Sequence, residues 1–294
     1  HASWDAWARR RLIPIQEDET ALVLWEMWQH YDQYREIEYA HQLYQKLIVR
    51  CADFLNQFRD PDTGLPLPSW NLWEDRRGIH TFTCATVVGG LRAAANFAEL
   101  FGERDRAAHY DRAADEVVAG MKEHLWSAEL GRFLRSLETN DDVNFKADAT
   151  VGAELFAVFY FGAFDIDDPK VTATMRAIED RLWVPTEIGG VARFEYDGYM
   201  RITNDTTGNP WFICTLWLAA YRIAVAKTTE DLSGALELLE WTANRALPSG
   251  VLAEQINPLN GDPVSVSPLT WSHSTFVETV ASYLKKRREL LVDN

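Results

Sequence analysis

The first feature that points to chemistry is a carboxyl group beside a tryptophan in a long loop. Residues 66–83 read PLPSWNLWEDRRGIHTFT, so Glu74 follows Trp73 and precedes Asp75. An apolar neighbour raises the pKa of a carboxyl group, and an adjacent carboxylate raises it further, which keeps a general acid protonated near neutral pH. The alternative interpretation is an exposed salt bridge between Glu74 and one of the two arginines that follow it.

A second carboxyl group lies in apolar surroundings near the other end of the chain. Glu254 is part of SGVLAEQ at 249–255, and Leu-Thr-Trp-Ser follows at 269–272. Hydrolysis of a glycosidic bond needs two carboxyl groups across the bond, one protonated and one ionised. Glu74 and Glu254 together therefore favour a glycoside hydrolase. The alternative is a non-catalytic carbohydrate-binding helical barrel, which needs tryptophan and arginine but not two opposed carboxyl groups.

The segment between the two carboxyl loops carries an arginine and an aspartate at short spacing. Residues 189–199 read GGVARFEYDGY, and GNPWF follows at 208–212. Arg193 has a planar guanidinium fork that can donate to sugar hydroxyls, and Asp197 can fix its orientation. A purely structural ion pair is the alternative. Pro210 suits the first position of a helix.

The composition describes a globular protein and excludes two classes of function. Of 294 residues 47% are hydrophobic, yet no run reaches the roughly eighteen apolar residues of a membrane-spanning helix. A net charge of −15 opposes binding to nucleic acid. Twelve tryptophans suit the flat faces of sugar rings, although a tryptophan-rich core is the simpler reading.

The three cysteines, at 51, 84 and 214, provide neither a disulfide framework nor a metal-ligand spacing. They are expected to be core residues within helices. The sequence predicts no metal and no cofactor. Since His1 is not preceded by a leader and no disulfides are expected, a cytoplasmic location is favoured.

Helical periodicity dominates the chain and predicts an all-α protein without a domain linker. Long connections at 59–79, 183–208 and 247–269 alternate with short turns. Helical hairpins arranged in a ring produce this alternation and collect the long loops on one face, while a stacked solenoid is the alternative. The expected helices span about 19–33, 36–58, 80–101, 104–125, 147–161, 169–182, 209–226, 229–246 and 270–288.

Four segments, in this order, resemble glucoamylases and their relatives in glycoside hydrolase family 15. The first is PIQEDETAL at 14–22, similar to a Gln-x-Asp segment that opens a barrel helix. Leu-Trp-Glu-Asp at 72–75 is similar to the segment of the family's general acid. The arginine loop of 193–199 with Asn-Pro-Trp-Phe at 209–212 resembles the substrate-binding loop. Ala-Glu-Gln at 253–255, with 269–272, resembles the loop of the general base.

The resemblance implies an (α/α)6 barrel that cleaves α-glucosidic bonds with inversion. By this resemblance Glu74 protonates the glycosidic oxygen and Glu254 activates the attacking water. Asp18 is expected at the rim of the pocket. The other residues expected to wall the pocket or to bind substrate are Trp73, Asp75, Arg193, Asp197, Tyr199, Trp211 and Trp271.

The expected substrate is an α-glucan or gluco-oligosaccharide, from which glucose is released at the non-reducing ends of α-1,4-linked chains. Hydrolysis of isomalto-oligosaccharides or dextran, or of trehalose, is the alternative within the same family. The preferred linkage depends on how the second sugar is held, which these motifs do not specify.

Three features depart from the family's pattern. The chain predicts nine helices where the barrel has twelve, and its Arg-Asp dipeptides at 59–60 and 104–105 do not match the position of the family's pair. Leu12 stands where the family has a stacking tryptophan, with Trp4 and Trp7 further upstream. Residues 1–294 are therefore expected to be an N-terminally incomplete catalytic domain that needs the missing N-terminal part as a partner. Uncovered apolar side chains are expected on the first and last helices, at Leu24, Trp25, Trp28, Phe276, Val280 and Leu284.

Overall fold

The computed structural model describes residues 15–292, which form two compact units. Within the described range, unit 1 consists of residues 15–149 and 157–165, and unit 2 consists of 150–156 and 166–292. Trp4, Trp7, Leu12 and Pro14, which entered the comparison with the family's motifs, lie outside the described residues.

Unit 1 is built from helices that pack around a buried central helix. The helix α4 contacts α1 on one side and α5 on the other. It is apolar almost all round, as TFTCATVVGGLRAAANFAEL, and most of its side chains are buried. The helices are α1 Glu17–Tyr34, α2 Ile37–Leu43, α3 Val49–Gln57, α4 Thr81–Leu100, α5 Arg104–Gly120 and α6 Ala157–Tyr160, with π turns at Tyr44–Ile48 and Met121–Leu125.

Short antiparallel strands connect these helices and position the first carboxyl loop. The order of the four-stranded sheet is β1-β2-β5-β6, with Ser69 opposite Gly78 and Trp70 opposite Arg77. Residues 71–76 are therefore the turn of a hairpin. The strands are β1 Ser69–Trp70, β2 Arg77–His80, β5 Ser136–Glu138 and β6 Lys146–Asp148, and a separate hairpin pairs β3 Trp126–Ser127 with β4 Arg132–Phe133.

Unit 2 repeats the plan of a buried helix beside a small sheet. The buried helix α8 contacts both α9 and α10. The sheet has the order β10-β9-β8-β7. The helices are α7 Pro169–Leu182, α8 Phe212–Val225, α9 Ser233–Ala243 and α10 Thr270–Val292, with 3-10 turns at Ala153–Phe156 and Glu230–Leu232; the strands are β7 Val191–Ala192, β8 Pro210–Trp211, β9 Gln255–Ile256 and β10 Pro263–Val264.

Sheet pairing changes two of the helices expected from the sequence. Pro210 does not begin a helix, because it pairs with Ala192 in the sheet and α8 begins only at Phe212. The helix expected over 147–161 shrinks to a 3-10 turn and the four-residue α6, because residues 146–148 pair with β5. In both places a sheet partner distant in sequence takes the backbone groups that a helix would use.

The expected open flank on the first helix is wrong. Leu24 is fully buried, whereas Trp25 and Trp28 are half-buried, and they pack edge-on against Phe161 at 5.3 Å and Phe97 at 5.0 Å. On the last helix Leu284 is 43% exposed, while Phe276 packs against the cluster around Phe212.

The cysteines behave as expected: all three are free and lie in helices, and Cys84 and Cys214 are buried. Of the helices within residues 15–292, none has the length and apolar character that crossing a membrane requires.

A close approach between α1 and α4 depends on a glycine. A Cβ atom on Gly90 would lie 2.9 Å from the Cα and carbonyl oxygen of Ala21, a separation that side-chain atoms do not reach without a backbone shift. The contact therefore fixes the spacing of the two helices.

We expect Gly90→Ala to lower the free energy of unfolding by about 1–3 kcal/mol, because overpacking outweighs the helix propensity gained by alanine. Urea denaturation followed by circular dichroism measures the change. Gly198→Ala is the control, since a Cβ there would meet no atom within 4 Å. An unchanged midpoint for Gly90→Ala would show that the helices are not held at this spacing.

Candidate active site

Glu74 lies in the hairpin turn between β1 and β2. It is half-buried, and its backbone has a φ of 56°, in the left-handed region that a glutamate rarely adopts. Such a conformation costs about 1–2 kcal/mol and persists only when neighbouring contacts hold it. Contacts from neighbouring residues must therefore hold Glu74 in this backbone conformation.

These contacts come from the buried residue Asn71, for which no role was predicted from the sequence. Its Nδ2 donates to Asp75 Oδ1 at 2.7 Å, and its Oδ1 accepts the backbone N–H groups of Asp75 and Arg76 at 3.0 and 3.2 Å. Its carbonyl oxygen accepts the N–H of Glu74 at 2.9 Å. The side chain and the backbone carbonyl of Asn71 together hold the backbone of Glu74, Asp75 and Arg76 in this turn. Asparagine is a common turn former, which is the only sequence signal for this role.

The other members of the predicted first loop are less enclosed. Trp73 is half-buried and Asp75 is exposed. Arg76 pairs with Glu138 at 2.6 Å and Arg77 pairs with Asp142, so both arginines face partners in the β-rich segment of unit 1. These pairings do not support the alternative in which Glu74 is held in a salt bridge by a following arginine.

Asp18 is not at a pocket rim, which corrects the prediction. Asp18 and Glu17 begin α1, and each has only 1% of its surface exposed. The Glu19 N–H donates to Asp18 at 2.9 Å, and Thr83 Oγ1 donates to it at 3.4 Å. Burial raises the pKa of Asp18 to about 7 and that of Glu17 to about 8, because desolvation disfavours the charged form. Both carboxyl groups are buried in the first turn of α1, at the positive end of its helix dipole.

Arg193 and Asp197 form a buried bidentate ion pair in unit 2. The Nε and Nη2 atoms of Arg193 donate to Asp197 at 2.8 and 2.7 Å, and the side chains are 10% and 3% exposed. Asp197 also accepts the N–H of Tyr199 at 2.9 Å. The fork expected to bind sugar is therefore occupied by Asp197. Asp197 thus fixes the orientation of Arg193, while its own role in substrate binding stays a prediction.

Aromatic rings enclose the Arg193 guanidinium. It lies 4.6, 5.3 and 4.9 Å from the ring centres of Phe194, Tyr199 and Trp211. Cation–π contact of this kind stabilises the charge where water is excluded. Trp211 is only 3% exposed and packs against the Arg193 guanidinium, which it therefore supports, while its role in substrate binding stays a prediction. Tyr199 is 47% exposed and presents the open aromatic surface of the cluster.

Glu254 is half-buried and is held by a chain of amides. Gln255 Nε2 donates to Glu254 Oε2 at 3.1 Å, and Asn209 Nδ2 donates to Gln255 Oε1 at 2.8 Å. Asn209 also donates to the carbonyl of Met200 at 2.9 Å. Gln255 and Asn209 are 0% and 2% exposed, so the chain is part of the core. Gln255 and Asn209 both belong to the motifs noted in the sequence, but no role was predicted for either.

Side chains at the start of α10 fix the Glu254 segment. Ser272 Oγ donates to the carbonyl of Ala253 at 2.8 Å, and His273 Nε2 accepts the N–H of Leu252 at 3.0 Å. His273 is thus a structural histidine. Trp271 lies in the first turn of α10, half-buried, with its ring 5.8 Å from that of Trp217.

The family model described as Glycosyl hydrolases family 15 matches residues 7–281, a range that includes all ten predicted site residues. The chain belongs to this family. The resemblance inferred from four motifs is therefore confirmed, and so is membership of a family of glycoside-hydrolysing enzymes.

Three relatives show how much of a family 15 protein the chain represents. It is 26% identical to an uncharacterised glycosyl hydrolase of Methanocaldococcus jannaschii, covering 91% of this chain and 42% of the relative. A glucoamylase of Clostridium sp. and a trehalase of Mycobacterium tuberculosis are each 26% identical over 84% of the chain, which covers 37% and 33% of their lengths. The chain spans about two-fifths or less of these relatives.

The fold is shown by a solved structure of a bacterial glucoamylase complexed with acarbose. The two chains are 23% identical with a TM-score of 0.74, and the alignment covers 94% of this family 15 chain and 42% of the glucoamylase. The predicted class, an all-α fold of the (α/α)6 type, is confirmed, with the short strands described above added to its connections.

We expect Asn71→Ala to lower the free energy of unfolding by about 1–3 kcal/mol, because two backbone N–H groups and the left-handed Glu74 lose their support. Chemical denaturation measures the change. Asn144→Ala is the matched control, since Asn144 is exposed and bonds only within its own turn. Equal stability of the two variants would mean that Asn71 does not hold the turn.

We expect stability to fall as the pH rises from about 5 to about 8. The folded protein keeps a proton on Glu17 that the unfolded chain releases, so unfolding is favoured across this window. Glu17→Gln should make the profile less steep, with the slope from Asp18 remaining, and should raise the free energy of unfolding at pH 8 by more than about 1 kcal/mol. Urea midpoints at pH 5 and pH 8 measure this, with exposed Glu19→Gln as control. A Glu17→Gln profile as steep as that of the wild type would contradict the assignment.

Proposed function

We propose that the chain carries the catalytic residues of an inverting, exo-acting α-glucoside hydrolase that releases glucose from the non-reducing ends of α-1,4-glucans. The observation that carries the proposal is the amide chain from Asn209 through Gln255 to Glu254. It holds one carboxylate oxygen in a fixed direction at the edge of the core, which a general base requires.

In this proposal Glu254 is the general base. A water molecule attacks the anomeric carbon from the face opposite the leaving group, and its proton passes to Glu254. Gln255 donates to only one carboxylate oxygen, so it orients the group while leaving the second oxygen for water. An amide is suited to this task because it donates a hydrogen bond without adding a charge.

Glu74 is the general acid in the same reaction. Its proton passes to the glycosidic oxygen as the bond to the anomeric carbon breaks, so the leaving sugar departs as an alcohol. The proton on Glu254 then returns to Glu74 through solvent, which restores the starting state. Trp73 provides an apolar neighbour for Glu74, and the Asn71 turn fixes the position of the acid.

The Arg193 cluster is proposed to bind sugar hydroxyls. Asp197 fixes the guanidinium of Arg193, and the open ring of Tyr199 lies beside it, so we place the sugar hydroxyls on the Tyr199 side of the cluster. Trp271 is proposed as an apolar wall for the glucose ring, backed by Trp217. Asp75, which is exposed on the acid loop, is proposed to bind a hydroxyl as well.

The similarity to a protein named glucoamylase and to one named trehalase supports an α-glucosidic substrate while leaving several linkages as candidates. We place α-1,4-glucans first because the sequence motifs resemble those of glucoamylases. Maltose, isomaltose and trehalose present the α-1,4, α-1,6 and α,α-1,1 linkages and separate the three candidates directly.

We expect wild-type protein to release glucose from maltose faster than from isomaltose or trehalose. Glu74→Gln and Glu254→Gln should each lower kcat by at least about 10²-fold, because general acid and general base assistance each contribute about 10²–10⁴-fold. Glucose release measured by a coupled assay gives the rates, and exposed Glu129→Gln is the control.

Wild-type turnover by either variant would remove that residue from the mechanism. A preference for isomaltose or trehalose would retain the acid and base but replace the proposed substrate. Because the chain spans about two-fifths or less of its relatives, the deciding assay uses the protein at its full natural length. Absence of glucose release from all three substrates by that protein would overturn the proposed function.

A further inference from the structure

Unit 2 contains a cavity that the proposed reaction does not use. Its volume is about 800 Å³, within the range of small-ligand sites, and it lies between α7, α9 and the loop around Thr206. None of its lining residues belongs to the Arg193 cluster or to the amide chain of Glu254.

Trp183 supplies an aromatic surface at this cavity. It follows the last residue of α7 and is 37% exposed, unlike Trp241, which lines the same cavity but is only 8% exposed. The Trp183 ring lies against the backbone of Gly189, where an added Cβ would come within 2.8 Å of its Cζ2 atom. The ring is therefore supported on the protein side and accessible from the cavity.

The other side chains that line the cavity include both hydrogen-bond donors and hydrogen-bond acceptors. Arg222 donates to Glu179 and, at 3.0 Å, to the carbonyl of Gly234, so its guanidinium is fixed. Glu237, on α9, is exposed at the cavity wall. A hydroxyl group both donates and accepts, so a polyol matches a lining of carboxylates and guanidinium groups.

The charge of the lining selects against anions. Four of the lining residues carry carboxylates, Glu179, Asp180, Asp205 and Glu237, against two arginines. A phosphorylated or carboxylated ligand would be repelled by this excess, on a chain whose net charge is already −15. In the part of the chain that the structure describes, no group of three potential metal ligands occurs, so the carboxylates are not assigned to a metal.

We propose that this cavity is a second, non-catalytic binding site for a neutral α-glucan chain, with Trp183 stacking on a sugar ring. The proposal rests on the proposed function for the identity of the sugar. It assigns Trp183, Glu237 and Arg222 to holding a polymer while the reactive end is processed elsewhere in the molecule.

The test uses β-cyclodextrin, a cyclic α-1,4-glucan without a non-reducing end, so that binding is measured without turnover. Isothermal titration of wild-type protein and of Glu74→Gln should give the same millimolar Kd. Trp183→Ala should raise Kd by about tenfold and Trp183→Phe by less, because the phenyl ring retains part of the stacking surface. The control is Tyr39→Ala, which removes an exposed aromatic ring in unit 1.

A second measurement links the site to the reaction. Trp183→Ala should leave kcat/KM for maltose unchanged but raise KM for soluble starch several-fold. Absence of cyclodextrin binding by wild-type protein, or an unchanged Kd for Trp183→Ala, would overturn the site. Failure of the proposed function would appear separately, as wild-type protein that binds cyclodextrin but releases no glucose from any substrate.

Discussion

A buried polar side chain must find hydrogen-bond partners, and this chain uses that requirement to hold its two candidate catalytic carboxyl groups. Asn71 closes the turn that carries Glu74, and Gln255, fixed by Asn209, donates to Glu254. Asn71 fixes the backbone that carries Glu74, whereas the amide of Gln255 contacts the Glu254 carboxylate itself. A charged partner would change the proton affinity of the glutamate it held, whereas an amide orients the group and leaves its acid–base chemistry largely to the surroundings.

The Arg193 guanidinium is a charge that is buried in largely apolar surroundings, so it too needs partners. A bidentate bond to Asp197 neutralises the guanidinium, and three aromatic rings line its faces. An arginine stripped of Asp197 would be left as an uncompensated buried charge, which is strongly destabilising. The pair is therefore structural and, in the proposed function, also sets the geometry of sugar binding. The two interpretations weighed from the sequence are compatible.

The longer helices could be read from the sequence because the 3.6-residue period repeats several times in each, which is not so for the four-residue α6. Helix α7, over Pro169–Leu182, agrees with its expected range to the residue. The strands were missed because each spans only two to four residues, too short for alternation to be visible. Pro210 was misplaced for the same reason, since only its pairing with Ala192 reveals a strand.

At the site, residue identities were predictable but burial was not. The order of the motifs pointed to Glu74, Arg193 and Glu254. It also placed Asp18 at a pocket rim, whereas Asp18 is buried in the first turn of α1 and accepts a hydrogen bond from Thr83. Asn71 and Asn209 were overlooked because a turn asparagine looks the same in sequence whether its amide faces water or a partner distant along the chain. Asn209 bonds to a residue 46 positions away, and such pairs are fixed by tertiary structure alone.

The central claim is that Glu254 activates water on one face of the sugar while Glu74 protonates the leaving oxygen on the other. The most direct test is the anomeric configuration of the first glucose released from an α-linked substrate, followed by proton NMR before mutarotation. Hydrolysis by a general acid and a general base, with inversion, predicts β-glucose as the initial product. Initial release of α-glucose would mean a covalent glycosyl-enzyme intermediate and would contradict the assignment of Glu254 as a general base.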